Sequence, residues 1–479
     1  MAQQRQCIVI GAGIAGLTAA ALLACKGYEV TVFESTATYG GKVGTLVLGD
    51  AYFDTGPSLC TDPKIIDSVY VACGKDPRKY WQYEKLPEIT RYFWPDGAHV
   101  TMPTGSLAIE RWLVREFGED PKKVSLFMQR SRRAYAAAAP YYLDSAMNPA
   151  SFLRPSVLTT AARTTPQIMR SVHARNAAYF KNPKTVQLFD RFATYSGSNP
   201  YRAPAVMGMA GLLELADGAY VPSGGMRSIA DGLYKLTIDL GVVYKFDTKV
   251  LAIQHVATGK STVRTNHATY TADAIVYAGD IAHLYALLGN KKANYISRRP
   301  ERSTSAIVFY WHVEGNYKRF GLHNILFSAD YAKEYAQLRR GEVPDDPTVY
   351  INITSKLVAS HAPKNTENWF VMINVPAGTK ETAVIKAKDT IQRKIETMLG
   401  GYITILQQDY LSPSRLAQQT NAWQGAIYGQ ATNSIASLLA RPKNSAFGFK
   451  NIVRVGGTVH PGGGIPLAVR SAIVAVDKL

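Results

Sequence analysis

The sequence predicts an α/β protein built on a parallel nucleotide-binding sheet, and three observations carry that prediction. An apolar run, Cys7-Ile8-Val9-Ile10, opens directly into Gly11-Ala12-Gly13-Ile14-Ala15-Gly16. An Ala-rich helical stretch then leads to a second strand, Glu29-Val30-Thr31-Val32-Phe33, ending on Glu34, eighteen residues past Gly16. Far downstream, residues 452–478 return to strand, Gly/Pro-rich loop and helix. Strand, tight turn, helix and strand in this order are Rossmann-like.

Each part of the opening unit has a chemical role. Gly11 permits the turn, Gly13 lets backbone N–H groups reach a pyrophosphate, and Gly16 lets the helix pack against the strand. The helix N-terminus adds partial positive charge for phosphates. Glu34 can accept a hydrogen bond from a ribose hydroxyl and would repel a 2′-phosphate. The expected ligand is therefore an adenine dinucleotide, FAD or NAD in preference to NADP. The nineteen residues from Cys7 to Cys25 carry no formal charge, which is also the length of a membrane span or signal peptide. Three glycines in one turn, with β-branched residues before and an Ala-rich helix after, match a buried parallel strand and helix instead.

At 479 residues the chain exceeds one compact core and implies two or three domains. Cys7, Cys25, Cys60 and Cys73 form no C-x-x-C pair, so neither a metal site nor a disulfide framework is expected; buried or inert thiols in a reducing compartment are. The formal charge is +18 and unevenly placed. Over residues 129–202, eleven bases, among them Arg130, Arg154, Arg163, Arg175 and Arg191, face only Asp144 and Asp190. They alternate with large apolar residues such as Tyr142, Phe152, Leu158 and Ile168, a pattern that suits an anionic membrane surface. A solvated helical region with incidental charge is the alternative. Nucleic acid is not expected, since no helix-turn-helix, zinc or RNA-recognition signature accompanies the charge.

Residues 104–199 read as mainly helical, cut by prolines including Pro121, Pro140 and Pro183. Strands are expected near 242–244, 249–255, 261–265 and 274–277, again over 303–315 and 348–375, with an amphipathic helix over 380–399. The expected division is 1–80, 205–285 and 416–479 as a discontinuous nucleotide-binding domain, 81–204 as a substrate and membrane-associating helical region, and 286–415 as a β-sheet substrate domain.

Gly40-Gly41-Lys42 follows Glu34 closely; the doublet lets the loop fold over a dinucleotide, and Lys42 can reach its pyrophosphate. Asp54 in Asp54-Thr55-Gly56-Pro57 is read as structural rather than catalytic. The loop Gly456-Gly457-Thr458-Val459-His460-Pro461-Gly462-Gly463-Gly464-Ile465-Pro466 holds five glycines in nine residues. Such a loop is costly to order and makes sense where backbone passes close to a flat ligand. The helix after it points its N-terminus back at the loop, where it can stabilise negative charge on a reduced flavin. His460 is either a base or a shaper of the loop. No second G-x-G-x-x-G occurs, so the flavin is reduced by substrate and reoxidised by oxygen, a quinone or another carrier.

These residues, with Gly197-Ser198-Asn199-Pro200 and Gly218-Ala-Tyr-Val-Pro-Ser-Gly-Gly-Met226, resemble the bacterial-type phytoene desaturase family of carotenoid desaturases along essentially the whole chain. Residues 350–376 look more like members acting on later acyclic or hydroxylated carotenoids. Lys42 stands where the wider family often has Arg, and Val459 is inserted into the usual Gly-Thr-His-Pro. The resemblance implies FAD, a long apolar polyene drawn from the membrane, hydride transfer from a CH₂ to flavin, and a peripheral place on the cytoplasmic membrane face. Conjugation stabilises the developing allylic cation, so a weak base suffices. An isoprenoid isomerase or saturase, a flavin amine oxidase and a non-catalytic carotenoid-binding flavoprotein are the alternatives. The candidate cofactor-binding residues are Gly11, Ala12, Gly13, Gly16, Glu34, Gly41, Lys42, Val250, Gly457, Thr458, Pro461, Gly464 and Ile465, with His460 the one catalytic candidate and no metal ligand.

Overall fold

The computed structural model describes residues 4–145, 170–255, 259–446 and 448–479. A five-stranded parallel sheet runs in the order Ile452–Arg454, Ala274–Tyr277, Gln6–Ile10, Glu29–Phe33, Val243–Lys245. It is assembled from the beginning, middle and end of the chain. Alternation along its central strand is decisive. Cys7 and Val9 turn to the helix Ile14–Cys25 and the C-terminal helix Ile465–Val476. Ile8 and Ile10 turn to the opposite face, against the three-stranded antiparallel sheet Val250–His255, Ser261–Thr265, Thr269–Ala272. With both faces covered, the strand is apolar throughout. The uncharged run is thus a strand and a 12-residue helix, and among the described residues no helix is long and apolar enough to cross a membrane.

A seven-stranded sheet stands opposite, ordered Ile405–Leu411, Ser305–Glu314, Thr366–Val375, Val349–Ile353, His323–Leu326, Glu88–Phe93, His99–Pro103. Its pairings are antiparallel except between His323–Leu326 and Glu88–Phe93. Odd-numbered Ile307, Trp311, Trp369 and Ile373 pack beneath the helix Ala383–Leu399, which presents Val384, Ala387, Ile391 and Ile395 to them. Even-numbered residues turn to the other side, where the cavity described below lies.

The described residues of 104–199 are mainly helical, as expected, whereas the part of 81–204 that precedes them is not. Two of its strands complete the seven-stranded sheet, followed by helices Ser106–Phe117, Pro121–Tyr142, Val172–Tyr179 and Pro183–Asp190. Pro121 and Pro183 begin helices capped by Asp120 and Asn182, as the fixed φ of proline and its missing N–H allow. Pro140 does not cut its helix; it sits in the last turn, two residues before the end, where one lost hydrogen bond is tolerable. The basic stretch is also less exposed than its composition suggests. Arg175 and Arg191 are buried, while Arg132, Lys184 and Arg202 pair with Glu110, Asp96 and Glu301. Arg154, Arg163 and the apolar residues between them lie outside the described residues.

The cysteine expectation needs correction. Helices Ile14–Cys25 and Pro63–Ala72 pack together and bring Cys25 and Cys73 to a Cα separation of 5.5 Å, where they form a disulfide. Cys7 and Cys60 are buried free thiols, pushed up to about 12 by burial.

Gly16 carries the tightest contact of the opening unit: a Cβ there would fall 2.0 Å from the Gly11 carbonyl oxygen. Gly16→Ala is expected to cost at least the ~1–3 kcal/mol typical of overpacking and to lower cofactor content with it. Equilibrium unfolding and the flavin-to-protein ratio check this; a variant as stable and as yellow as the parent contradicts it.

Candidate active site

A cavity of about 1470 Å³ lies between the carboxyl ends of the parallel strands and the even-numbered face of the seven-stranded sheet. Ordinary ligand pockets occupy about 300–1,000 Å³, so this space admits a dinucleotide with a second ligand beside it.

On the nucleotide side the Glu34 carboxylate is fixed. Its Oε2 accepts from Ala12 N at 2.8 Å, and its Oε1 from Thr36 N at 3.0 Å, Thr36 Oγ1 at 3.0 Å and Ser35 Oγ at 3.1 Å. Gly40 bridges to Gly13, and a Cβ on Gly41 would lie 3.0 Å from Gly13 Cα. Two helices start at the cavity without a side-chain cap, at Gly13 and Gly464. Their first N–H groups are therefore available to an anionic or electron-rich ligand.

Of the predicted cofactor residues, Gly11, Gly13, Glu34, Gly41, Lys42, Val250, Gly457, Thr458, Pro461, Gly464 and Ile465 line this one cavity. Ala12 and Gly16 sit behind the lining, one bonded to Glu34 and the other packed on Gly11. Lys42 differs from expectation in its partners: its Nζ donates to the carbonyls of Ile427 at 2.6 Å and Ala426 at 3.4 Å. Burial pushes its pKa down, opposed by Asp280. Asp54 accepts from Met226 N at 2.8 Å and Arg227 N at 3.1 Å, with burial pushing its carboxyl up to about 6; this is the structural role expected of it.

His460 lies behind the lining rather than in it. It is fully buried and absent from the cavity lining. Its Nε2 meets the Ser145 carbonyl at 3.0 Å, and its ring lies edge-on to Tyr142. Burial holds its pKa down to about 4. Packing turns the ring away from the cavity lining and against Tyr142. The inserted Val459 packs into the core below the loop with Tyr277 and Ile281.

The sequence reading missed the groups that hold this loop. Arg441 is buried and its guanidinium donates to the carbonyls of Gly457 at 2.6 Å, Val459 at 3.1 Å, Tyr428 at 3.1 Å and Gln430 at 3.5 Å. Asn444 Nδ2 donates to the His460 carbonyl at 2.9 Å. Arg227 Nη1 likewise grips the carbonyls of Tyr39 at 2.9 Å and Val43 at 3.2 Å around the Gly40-Gly41 turn. The only advance signal is general: a packed Gly-rich loop leaves carbonyls that need donors.

The opposite wall is the sheet face carrying even-numbered Ala306, Val308, Tyr310, Phe370 and Met372, continued by Ile325 on the strand where the parity reverses. Tyr310 pairs with Phe370 and Val308 with Met372 across the strands, giving a flat apolar surface. A cluster of polar groups, Arg191, Tyr195, His323 and Tyr350, interrupts it.

Arg441→Ala is expected to remove the donor from the Gly457 and Val459 carbonyls of the loop and from those of Tyr428 and Gln430, at about 1–3 kcal/mol for each that stays dry, and to release the cofactor. Arg441→Lys restores only part, because an ammonium cannot meet four diverging acceptors. Flavin content and thermal midpoint check both; full flavin retention in the Ala variant contradicts the assignment.

Residues 14–479 match the family described as flavin containing amine oxidoreductase. The chain is 37% identical over 486 residues to the 1-hydroxycarotenoid 3,4-desaturase of Flavobacterium sp. (strain P99-3), covering 99% of each. It is 27% identical over 496 residues to the 4,4'-diapolycopene oxygenase of Methylomonas sp, covering 98% of this chain and 97% of that one. Putrescine oxidase bound to putrescine shares the fold, with a TM-score of 0.65 at 13% identity over 99% of this chain and 98% of that one. The chain therefore belongs to the flavin-containing amine oxidoreductases and, within them, to the bacterial carotenoid desaturase family, as an oxidoreductase of CH–CH groups with FAD as its cofactor.

Proposed function

We propose that the chain inserts C=C bonds into a long acyclic carotenoid, and the observation that carries this reading is the flat apolar wall facing the nucleotide cradle in a single cavity. Gly11, Ala12, Gly13, Gly16, Glu34 and Gly41 would hold the adenosine diphosphate part of FAD, with Val250 beside the adenine. Gly457, Thr458, Pro461, Gly464 and Ile465 would flank the ring system, and Lys42 would brace the neighbouring 426–427 backbone. FAD, once bound, supplies the two-electron oxidant that takes a hydride from a CH₂ beside the polyene. Phe370, Met372 and Val308 lay the chain flat and exclude water. Each new double bond would cost one carbon a hydride, taken by the bound oxidant, and its neighbour a proton, released to solvent, and a quinone or oxygen would take the electron pair onward. The three segments 1–80, 205–285 and 416–479 serve as the cofactor domain, and 286–415, with strands from 81–204, as the substrate domain.

We infer further that the protein attaches peripherally to anionic membranes. The helix Lys291–Arg298 buries none of its residues, and Tyr295 and Ile296 on it are 65% and 54% exposed beside Lys291, Lys292 and Arg299. Basic and apolar groups side by side suit a lipid surface.

Anaerobic addition of an acyclic carotenoid to the FAD holoenzyme is expected to bleach the visible flavin band, with a product two mass units lighter per desaturation; binding without bleaching contradicts the desaturase reading. In liposome co-sedimentation, anionic lipid at low salt is expected to raise the bound fraction and salt to reduce it. Lys291→Glu with Lys292→Glu is expected to weaken it. Binding indifferent to lipid charge contradicts the attachment.

A further inference from the structure

We propose that His460 and Arg470 are positioning residues for the polyene: together they dock the end of the helix Pro121–Tyr142 onto the Gly-rich loop 456–466, so that Tyr142 and its helix neighbours close one side of the cavity. The inference rests on the desaturase reading for the ligand that this side meets.

One face of the helix is turned to the cavity. Tyr135, Ala139 and Tyr142, with Leu143 just after them, line it, at the spacing that stacks side chains along one helical stripe. Pro461, Gly463, Gly464 and Leu467 line the same cavity. The first half of the helix is anchored in the core through Val124, Phe127 and Met128. Its last turn is docked on the loop. Tyr142 OH donates to the Pro461 carbonyl at 3.5 Å, and the His460 ring meets the Tyr142 ring edge-on, with centroids 4.9 Å apart. Helix end and loop are therefore adjoining parts of one wall.

Two ties restrain that turn from different directions. The Ser145 carbonyl can only accept, so His460 Nε2, 3.0 Å away, carries the ring proton and donates it. Burial holds the pKa of His460 down to about 4, so the ring is neutral. Its Nδ1 is buried without a partner, and neither nitrogen is open to the cavity. Arg470, on the C-terminal helix Ile465–Val476, supplies the second tie. Its guanidinium pairs with Asp144 at the docked end and with Asp62 at 2.9 Å. Asp62 immediately precedes the helix Pro63–Ala72, so three helices converge on one guanidinium, whose fork can hold two carboxylates at once. Arg470 and Asp62 are only 13% and 11% exposed, which shelters their pair from solvent screening. Without the two ties, ordering Tyr135, Ala139 and Tyr142 would fall to the ligand, at the expense of its affinity.

The test uses the FAD holoenzyme as the parent, Asp144→Ala, His460→Leu and His460→Gln, with flavin content and thermal midpoint reporting folding. Amide deuterium exchange over residues 136–145 is expected to quicken about tenfold in Asp144→Ala and in His460→Leu. In the same two variants kcat/KM for an acyclic carotenoid is expected to fall about fivefold, carried mainly by KM. His460→Gln, whose amide can still donate to the Ser145 carbonyl, is expected to bring both readings back toward the parent. Should His460→Leu fail to fold, Asp144→Ala decides. Parent-like exchange in the folded variants overturns the proposal, as does faster exchange with KM unchanged. A kcat about a hundredfold lower in His460→Leu at unchanged KM, the mark of a proton acceptor, overturns it too. If no carotenoid turns over, the desaturase reading falls, while exchange and carotenoid affinity, read from the absorption shift on binding, still decide the docking.

Discussion

The contact on which this molecule depends is between two pieces of backbone. Gly16 lies against the Gly11 carbonyl more closely than any side chain permits, which seats the first helix directly at the ends of the parallel strands. From that seat the rest of the nucleotide wall follows in sequence. Gly13, now at the helix start, bridges to Gly40, and Gly40 N donates to the Ala12 carbonyl at 2.8 Å. The turn around Gly40 is gripped by Arg227, whose own backbone N–H is held by Asp54. A local demand for absent side chains thus propagates through five segments to a hairpin and a helix nearly two hundred positions away in sequence.

The second wall obeys a different rule. In the seven-stranded sheet a period of two sends tryptophans and isoleucines to a dry core under a helix, and sends Ala306, Val308, Phe370 and Met372 to the cavity. Across Ser305–Glu314, Thr366–Val375 and Val349–Ile353 matching parities meet, and at His323–Leu326 the parity reverses so that Ile325 faces Tyr350, which keeps one face apolar over several strands. A one-residue slip would exchange the two faces. The cavity wall is accordingly protected by the same packing that stabilises the sheet.

What was legible in the sequence is what depends on near neighbours. The glycine spacing, Glu34 at the strand tip, and the strands at Ser261–Thr265 and Ala274–Tyr277 are written in short windows, and the structure places them as read. What escaped depends on distant partners. Nothing local marks Arg441 as the donor to the 456–466 loop, and Ser58 meets Tyr350 across 292 positions. Cys25 and Cys73 carry no spacing signal because helix packing, not sequence proximity, joins them. Counting charges over 129–202 counted Arg175 and Arg191 as surface when both are core. The direction of the His460 ring, away from the cavity lining, likewise depends on distant Tyr142 and Ser145.

Those buried charges share one arrangement. Glu34 is surrounded by four donors, the Lys42 ammonium rests on two carbonyls, Arg441 on four, and Arg191 faces Glu214. Each of these four ionised groups has a local counterpart, as burial requires. The space for the polyene therefore meets a wall with little uncompensated charge, while the two uncapped helix starts leave favourable dipoles on the nucleotide side alone. Separating the two electrostatic regimes within one cavity lets a charged dinucleotide and a hydrocarbon share it.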